Sequence, residues 1–204
     1  MEKKKNDFIA QGSILAIASI LVRVMGMIYR IPMTAIIGDK GNGFYSYAYS
    51  VYTILLLLSS YSLPLAVSKM VSAKAQLGQW RNVKRVFICA IAFAIGIGTT
   101  FGLIVLIGAQ FFTRVFFHSE LAAIALRFMA PTILIMALLG VFRGFFQGLQ
   151  NTLPTAVSQI VEGLINAIMS VVFAYFLFDF GHGMDAAGGT TDLGYAWGAA
   201  GGAI

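Results

Sequence analysis

The sequence predicts an all-α protein whose helices cross a membrane several times. Only 11% of its 204 residues are charged and 59% are hydrophobic, whereas a soluble domain is about 25% charged. Residues 41–68 and 86–113 contain no Asp, Glu, Lys or Arg, and a helix needs about 20 such residues to cross the hydrocarbon core of a bilayer. So little polar side chain could not cover this apolar surface in water. The composition therefore excludes a cytosolic enzyme and a disordered tail.

The apolar stretches and the charged residues between them predict five membrane spans and the start of a sixth. Arg127 and Arg143 bound the core of span four, and Glu162 is the one charged residue inside span five. The predicted spans are residues 8–31, 44–70, 85–112, 121–146, 154–178 and, cut off by the last residue, 195–204.

Turn and loop residues separate these spans. Residues 38–43, Gly-Asp-Lys-Gly-Asn-Gly, predict a turn after span one. Pro154 is placed to open the helix of span five, and residues 179–194, rich in Gly, Asp and Thr, predict a loop. Pro64 lies inside span two, where proline removes a helix hydrogen bond, and it predicts a kink or a broken helix.

The positions of Lys and Arg predict how the protein lies in the membrane. Basic residues accumulate on the cytoplasmic side of bacterial membrane proteins. Here they occupy residues 3–5, the region 69–85 after span two, and Arg143 after span four. This predicts a multi-pass protein of the bacterial cytoplasmic membrane with its N-terminus inside. The alternative is that residues 1–22 form a signal peptide. Arg23 and Arg30 continue the same helical pattern, which argues against this alternative.

One face of span one carries two arginines among small residues. The face consists of Gly12, Ala16, Ser19, Arg23, Gly26 and Arg30, at steps of three or four. Ionisable groups within a span are costly and mark functional sites. Two guanidinium groups suit phosphate or pyrophosphate, because each can bond two oxygens in one plane. Arg23 and Arg30 are therefore candidate substrate-binding residues.

Each arginine also has a structural alternative. Arg30 lies near the outer end of span one. From there its side chain could extend to the membrane–water interface, so that its charge would lie outside the hydrocarbon region. Arg23 lies about 22 Å along the span, so for this residue we favour a cavity-facing position over a salt bridge to Glu162.

Span five carries a second polar face. Thr155, Gln159, Glu162, Asn166 and Ser170 follow at helical steps of three or four. Polar side chains in line form interhelical hydrogen bonds in many bundles. A carboxylate at this depth needs in addition a cation or a proton. Gln159, Glu162 and Asn166 are therefore candidate residues of a water-filled substrate site.

Two further patterns favour structural roles. Tyr45, Tyr47, Tyr49 and Tyr52 lie at the outer end of span two, where an aromatic belt is the preferred interpretation and a sugar-stacking face the alternative. Glycines at 140, 144 and 148 recur at steps of four, which indicates close helix packing more than ligand binding.

The sequence carries no catalytic or metal-binding motif. There is one cysteine, Cys89, so an intramolecular disulfide is excluded, and the two histidines, His118 and His182, lie far apart. Neither a catalytic triad nor a nucleotide-binding loop is found. Most basic residues flank apolar segments, and they do not form the basic patch of a nucleic-acid-binding protein. We expect no enzyme activity, no metal, no cofactor and no nucleic-acid partner.

Five segments, in this order and spacing, also resemble a known family. They are residues 13–45, with Arg23-Val24-Met25-Gly26 and Tyr29-Arg30-Ile31-Pro32; residues 61–69, Tyr-Ser-Leu-Pro-Leu-Ala-Val-Ser-Lys; residues 142–148, Phe-Arg-Gly-Phe-Phe-Gln-Gly; residues 154–162, Pro-Thr-Ala-Val-Ser-Gln-Ile-Val-Glu; and residues 195–202. Together they resemble the MurJ-like and stage V sporulation protein B-like polysaccharide transporters. These belong to the multidrug/oligosaccharidyl-lipid/polysaccharide exporter superfamily.

The resemblance implies a fold and an activity. Members of the family have two bundles of six helices around a central cavity and move lipid-linked sugars, such as the peptidoglycan precursor lipid II, to the outer leaflet. Arginines of their first helix line the cavity and are implicated in holding the pyrophosphate, and Arg23 and Arg30 match them. Residues 1–204 would then form an incomplete N-terminal six-helix bundle. Its partners would be a lipid-linked oligosaccharide, membrane lipid and the missing C-terminal bundle.

Two rival functions stay open at this stage. A drug:cation antiporter of the same superfamily would need an acidic cavity. The first five spans contain one acid and several arginines, which argues against this function. A non-transporting scaffold for cell-wall or spore-coat enzymes predicts that charge substitutions at Arg23 and Glu162 impair folding only.

Overall fold

The computed structural model describes the backbone of residues 2–60, 62–188 and 192–203, and the side chains of residues 12–58, 62–185 and 192–203. Within these ranges the chain consists of helices and short turns and has no strand. The helices are α1 (Glu2–Ser60), α2 (Leu63–Gln76), α3 (Trp80–Phe117), α4 (Ala122–Gly148), α5 (Leu153–Gly188) and α6 (Leu193–Gly202). The predicted all-α, polytopic class is confirmed.

Helix α1 folds back on itself at Gly38. This residue has φ 64° and ψ −176°, which is not helical and which glycine adopts without the steric cost of a side chain. Tyr29 and Tyr45, on either side of it, pack against the same core cluster. We call residues 2–37 the first arm and residues 39–60 the second arm. The six-residue turn predicted at 38–43 is thus reduced to one non-helical residue inside α1.

The helices pack side by side in two groups. The first arm lies along α5, where Gly163 approaches Val22, and both helices run in the same direction. The second arm and α2 run in the same direction as α4, since Pro64 lies beside Gly144 and Ser68 beside Gly148, and α4 also packs against α3. Four helical stretches are long and apolar enough to cross a membrane: Gly12–Gln76, Trp80–Phe117, Ala122–Gly148 and Leu153–Asp185. The first contains both arms and α2, so it is long enough to cross twice.

Proline and glycine together fix the contact between α2 and α4. α1 ends at Ser60 and α2 begins at Leu63, with Pro64 in its first turn, where a missing N–H costs no helix bond. The break predicted at Pro64 is confirmed. A Cβ on Gly144 would lie 2.5 Å from the Pro64 carbonyl oxygen, and a Cβ on Gly148 would lie 2.8 Å from the Ser68 carbonyl oxygen. The packing role predicted for these two glycines is confirmed.

Large apolar side chains cover the outside of the bundle. Ile17 and Ile20 of α1, and Ile107 and Phe111 of α3, are exposed. Small and medium-sized residues fill the inside, and α4 contributes Ala130, Ile133 and Ala137 among others. This distribution is typical of a helix bundle whose outer surface faces lipid.

A carboxylate of α5 caps the start of α6. Helix α5 continues to Gly188, beyond the end predicted at residue 178. Asp185 is buried, and its two carboxylate oxygens accept hydrogen bonds from the backbone N–H groups of Leu193 (3.0 Å) and Gly194 (2.9 Å). Free N–H groups at a helix N-terminus favour such a negative partner. Nearby, Asp192 accepts a hydrogen bond from Lys40 Nζ at 2.9 Å.

Candidate functional site

A polar cavity of about 390 Å³ lies between the first arm, α5 and the C-terminal half of α4. Its lining residues are Ser19, Val22, Arg23, Gly26, Tyr29, Arg143, Gln159, Glu162, Gly163 and Asn166. We call it the cation cavity, because two guanidinium groups and one carboxylate reach it. With the two guanidinium groups and the one carboxylate ionised, the net charge of the cavity is positive, which suits an anionic ligand.

The cavity forms because the two polar faces predicted from the sequence meet. The arginine-bearing face of the first arm opposes the polar face of α5. Gly163 lets the two helices approach, since a Cβ there would lie 3.1 Å from Val22 Cγ1. Gly26 has no atom within 4 Å of the position of a Cβ, so it leaves space instead. One glycine therefore sets the distance between the helices and the other leaves the cavity open.

Four of the five predicted site residues line the cation cavity. They are Arg23, Gln159, Glu162 and Asn166. Arg30 is exposed and does not line it. Tyr29, the residue before Arg30, does line the cavity, so Arg30 lies next to the cavity but outside its wall.

Glu162 forms an ion pair with Arg143. The Arg143 Nη2 atom donates a hydrogen bond to a Glu162 carboxylate oxygen. Arg143 Nε also donates to Ser158 Oγ at 3.2 Å. The Arg143 side chain is only 16% exposed, against 40% for Glu162. The cation that a carboxylate at this depth requires is therefore Arg143, and the salt bridge between Arg23 and Glu162, our less favoured alternative, is absent from the described residues.

A signal for this partner was present in the sequence. Arg143 and Glu162 lie on either side of the short connection between α4 and α5, which run antiparallel. Arg143 precedes Asn151 by eight residues and Glu162 follows it by eleven, so their depths differ by only about 5 Å. The position of Arg143 at the end of span four indicates an interface role, whereas its similar depth to Glu162 on the adjacent helix indicates the ion pair.

The guanidinium group of Arg23 is available to bind a ligand. Throughout the described side chains it has no ion-pair partner and no hydrogen bond within the protein. Its side chain lies at the wall of the cation cavity, and the residue is exposed. A guanidinium group with five free donors in a cavity can bind two oxygens of one anion at once.

Gln159 offers an unused acceptor in the same cavity. Its Oε1 atom is buried and has no hydrogen-bond partner in the described structure. A buried polar atom without a partner is uncommon in folded proteins. A ligand or water that donates a hydrogen bond to Oε1 would therefore be stabilised at this place.

A second cavity, of about 460 Å³, adjoins the first. Glu162 and Asn166 line both. Its other side contains Tyr45, Tyr49 and Tyr52 of the second arm, and we call it the tyrosine cavity. The sequence favoured an aromatic belt for Tyr45, Tyr47, Tyr49 and Tyr52, because aromatic residues near the end of a span are typical of belts. Three of the four line this cavity, and Tyr47 does not.

The cavities contain no cluster typical of a metal centre. Across the described ranges, no three His, Cys, Asp or Glu side chains come together in a way that could hold a metal ion. What the arrangement offers is cationic and polar groups for binding.

The comparison with known families decides where the chain belongs. The family described as "Polysaccharide biosynthesis protein" matches residues 8–189. The chain therefore belongs to this family. The match includes the first arm, α4 and α5, so every residue of the cation cavity lies within it.

Relatives of this polysaccharide biosynthesis protein occur in Bacillus subtilis (strain 168). The chain is 27% identical over 163 residues to the lipid II flippase MurJ, covering 76% of this chain and 30% of that protein. It is 26% identical over 184 residues to stage V sporulation protein B, covering 90% and 36%. It is also 26% identical to the uncharacterized membrane protein YabM over 185 residues, covering 90% and 34%.

The chain spans about a third of the length of these relatives. No solved structure matches it significantly. The family and the helices long enough to cross a membrane together make this a multi-pass membrane protein of polysaccharide biosynthesis.

Proposed function

We propose that this chain forms part of a flippase, which moves an undecaprenyl-pyrophosphate-linked saccharide such as lipid II across the bacterial cytoplasmic membrane for cell-wall or spore-cortex peptidoglycan synthesis. The headgroup would enter the cation cavity while the lipid tail stays in the bilayer. A further helix bundle, outside these residues, would cover the open side of the cavity. The proposed orientation places the N-terminus in the cytoplasm.

The observation that supports this proposal is the free cation in the cavity. Arg143 is neutralised by Glu162, so Arg23 supplies the uncompensated charge of the cation cavity. A pyrophosphate accepts the paired hydrogen bonds that a guanidinium group donates. The Bacillus subtilis relative named a lipid II flippase points to the same class of substrate.

The same charge balance disfavours an antiporter for organic cations. Such a substrate needs a carboxylate with an unsatisfied charge, whereas the carboxylate in this cavity is paired. We propose accordingly that the protein is a transporter of anionic lipid-linked sugars and has no enzyme activity.

The test replaces Arg23 in the complete gene product and follows transport in vesicles. Arg23→Gln keeps the length of the side chain and removes its charge. We expect outward movement of a fluorescent lipid-linked saccharide to fall at least tenfold, because a charge-assisted hydrogen bond contributes about 1.5–3 kcal/mol. Arg114→Gln is the matched control, since Arg114 is exposed and lies outside the cavity.

Unchanged transport by a normally expressed Arg23→Gln protein would refute the role of this arginine. Efflux of ethidium by the wild-type protein, lost in Glu162→Gln, would instead establish the antiporter. If both variants alter only the amount of folded protein, the scaffold hypothesis gains and the flippase proposal fails.

A further inference from the structure

The tyrosine cavity contains groups that the proposed pyrophosphate contact does not use. Tyr45 and Tyr49 stack with ring centroids 5.7 Å apart, and Tyr49 and Tyr52 follow at 6.1 Å. Tyr49 is 47% exposed, so part of its surface is open. The three rings form one aromatic wall of the cavity.

Polar groups line the same cavity as the tyrosines. They are Thr132 of α4 and Glu162 and Asn166 of α5. Thr132 Oγ1 donates to the Met129 carbonyl oxygen at 2.6 Å. Asn166 is exposed and its amide nitrogen can donate. The cavity thus combines an aromatic surface with several hydroxyl, amide and carboxylate groups.

This combination fits a sugar ring. A pyranose has one face of C–H groups, which packs against the electron-rich face of an aromatic ring, and a rim of hydroxyl groups, which need donors and acceptors. The volume of about 460 Å³ lies within the range of small-ligand sites. An organic cation would also contact tyrosine rings, but the charge of the neighbouring carboxylate is taken by Arg143.

We propose that the tyrosine cavity is the saccharide subsite of the transported headgroup, with a pyranose ring packed against Tyr49 and its hydroxyl groups bonded to Asn166 and Glu162. The proposal rests on the proposed flippase function. Glu162 and Asn166 line both cavities, so a diphosphate beside Arg23 and the sugar attached to it occupy adjacent places. The carrier lipid is then recognised by its charge in one cavity and by its sugar in the other.

The test compares two soluble probes on the complete gene product in nanodiscs. One probe is a short-chain prenyl diphosphate, and the other is the same molecule with one N-acetylglucosamine on the diphosphate. We expect the wild-type protein to bind the glycosylated probe about tenfold more tightly, the size of a favourable aromatic contact. Tyr49→Leu should reduce that ratio to about one without weakening binding of the bare diphosphate.

Two further variants control the result. Tyr47→Leu removes a tyrosine of the same arm that lies outside the cavity and stacks on Phe117 at 4.7 Å, and it should keep the tenfold ratio. Tyr49→Phe keeps the ring and should also keep most of the ratio, which separates stacking from a fold defect.

The outcomes separate the subsite from the function on which it rests. Equal affinity of the wild-type protein for the two probes, or equal weakening of both by Tyr49→Leu, overturns the saccharide subsite. In that case a loss of affinity for both probes in Arg23→Gln would leave the flippase proposal standing. If Arg23→Gln binds both probes like the wild-type protein, the flippase proposal itself fails. Tight binding of tetraphenylphosphonium that Tyr49→Leu abolishes would assign the cavity to cations and also overturn the subsite.

Discussion

The ion pair between Arg143 and Glu162 permits a sharp test of the site. We predict that the two residues are energetically coupled, so that removing both costs less stability than the sum of the two single removals. Glu162→Leu leaves the guanidinium group of Arg143, which is 16% exposed, without its counter-charge. Arg143→Met together with Glu162→Leu leaves no charge unpaired and fills the space with apolar side chains.

The expected magnitude follows from the exposure of the two side chains. Breaking a fully buried pair costs about 3–5 kcal/mol, whereas an exposed pair contributes about 0–1 kcal/mol. Glu162 is 40% exposed, so solvent screens part of the interaction. We therefore expect Glu162→Leu to lower the free energy of unfolding by about 2 kcal/mol, and Arg143→Met by about 1 kcal/mol. The double variant should lose about 1 kcal/mol, which gives a coupling energy of about 2 kcal/mol.

The measurement is a double-mutant cycle on the complete gene product in mixed micelles. Unfolding by a denaturing detergent is followed by circular dichroism for the wild-type protein, the two single variants and the double variant. The exposed pair Arg114–Glu120, with 3.6 Å between Nε and Oε1 and side chains 75% and 69% exposed, is the matched control. Its coupling energy should stay below about 0.5 kcal/mol.

A coupling energy near zero for Arg143 and Glu162, equal to that of the control pair, would refute the reasoning. The double variant also addresses function, since it should be folded but lack the carboxylate that both cavities share. If that folded variant still bound the glycosylated probe as tightly as the wild-type protein, the site would not depend on Glu162.

Two other predictions concern packing and topology. Gly144→Ala should lower the free energy of unfolding by about 2 kcal/mol, because its Cβ would lie 2.5 Å from a backbone oxygen of α2. Gly96→Ala, with no atom within 4 Å of its Cβ, should raise the free energy of unfolding by about 0.5 kcal/mol. Unfolding curves in detergent measure both values, and equal values would contradict the contact between α2 and α4. In a Cys89→Ser background, a membrane-impermeant maleimide added to intact cells should label Glu120→Cys and not Lys74→Cys, and the reverse pattern would place the N-terminus outside.

The sequence was informative where local composition determines the structure. Charge-free stretches identify apolar helices because a backbone in lipid must satisfy its own hydrogen bonds. Pro64 indicates the boundary between α1 and α2 because proline lacks the N–H that a helix interior uses and is best accommodated in the first turn. The polar residues of span five share a face by helical spacing alone, and this places Gln159, Glu162 and Asn166 in one cavity.

Features that depend on tertiary packing could not be read from the sequence. Gly-rich and Asp-rich composition predicted a loop from residue 179, yet α5 continues to Gly188, and a Cβ on Gly181 would lie 2.7 Å from Gly194 Cα, so backbone packing occurs where side chains are absent. The direction of the tyrosines also depends on how the second arm sits against α4. The Arg143–Glu162 pair is the exception, because the depths of the two residues on either side of the connection between α4 and α5 could have been compared in the sequence.

The carboxylate cap at the start of α6 has a consequence for engineering. Since the carboxylate of Asp185 accepts hydrogen bonds from the N–H groups of Leu193 and Gly194, the start of α6 is anchored directly by the preceding helix. An epitope or a fluorescent reporter inserted between residues 189 and 191 should therefore be accepted with the bundle intact. That junction is the natural attachment point for a tag that follows the protein in living cells.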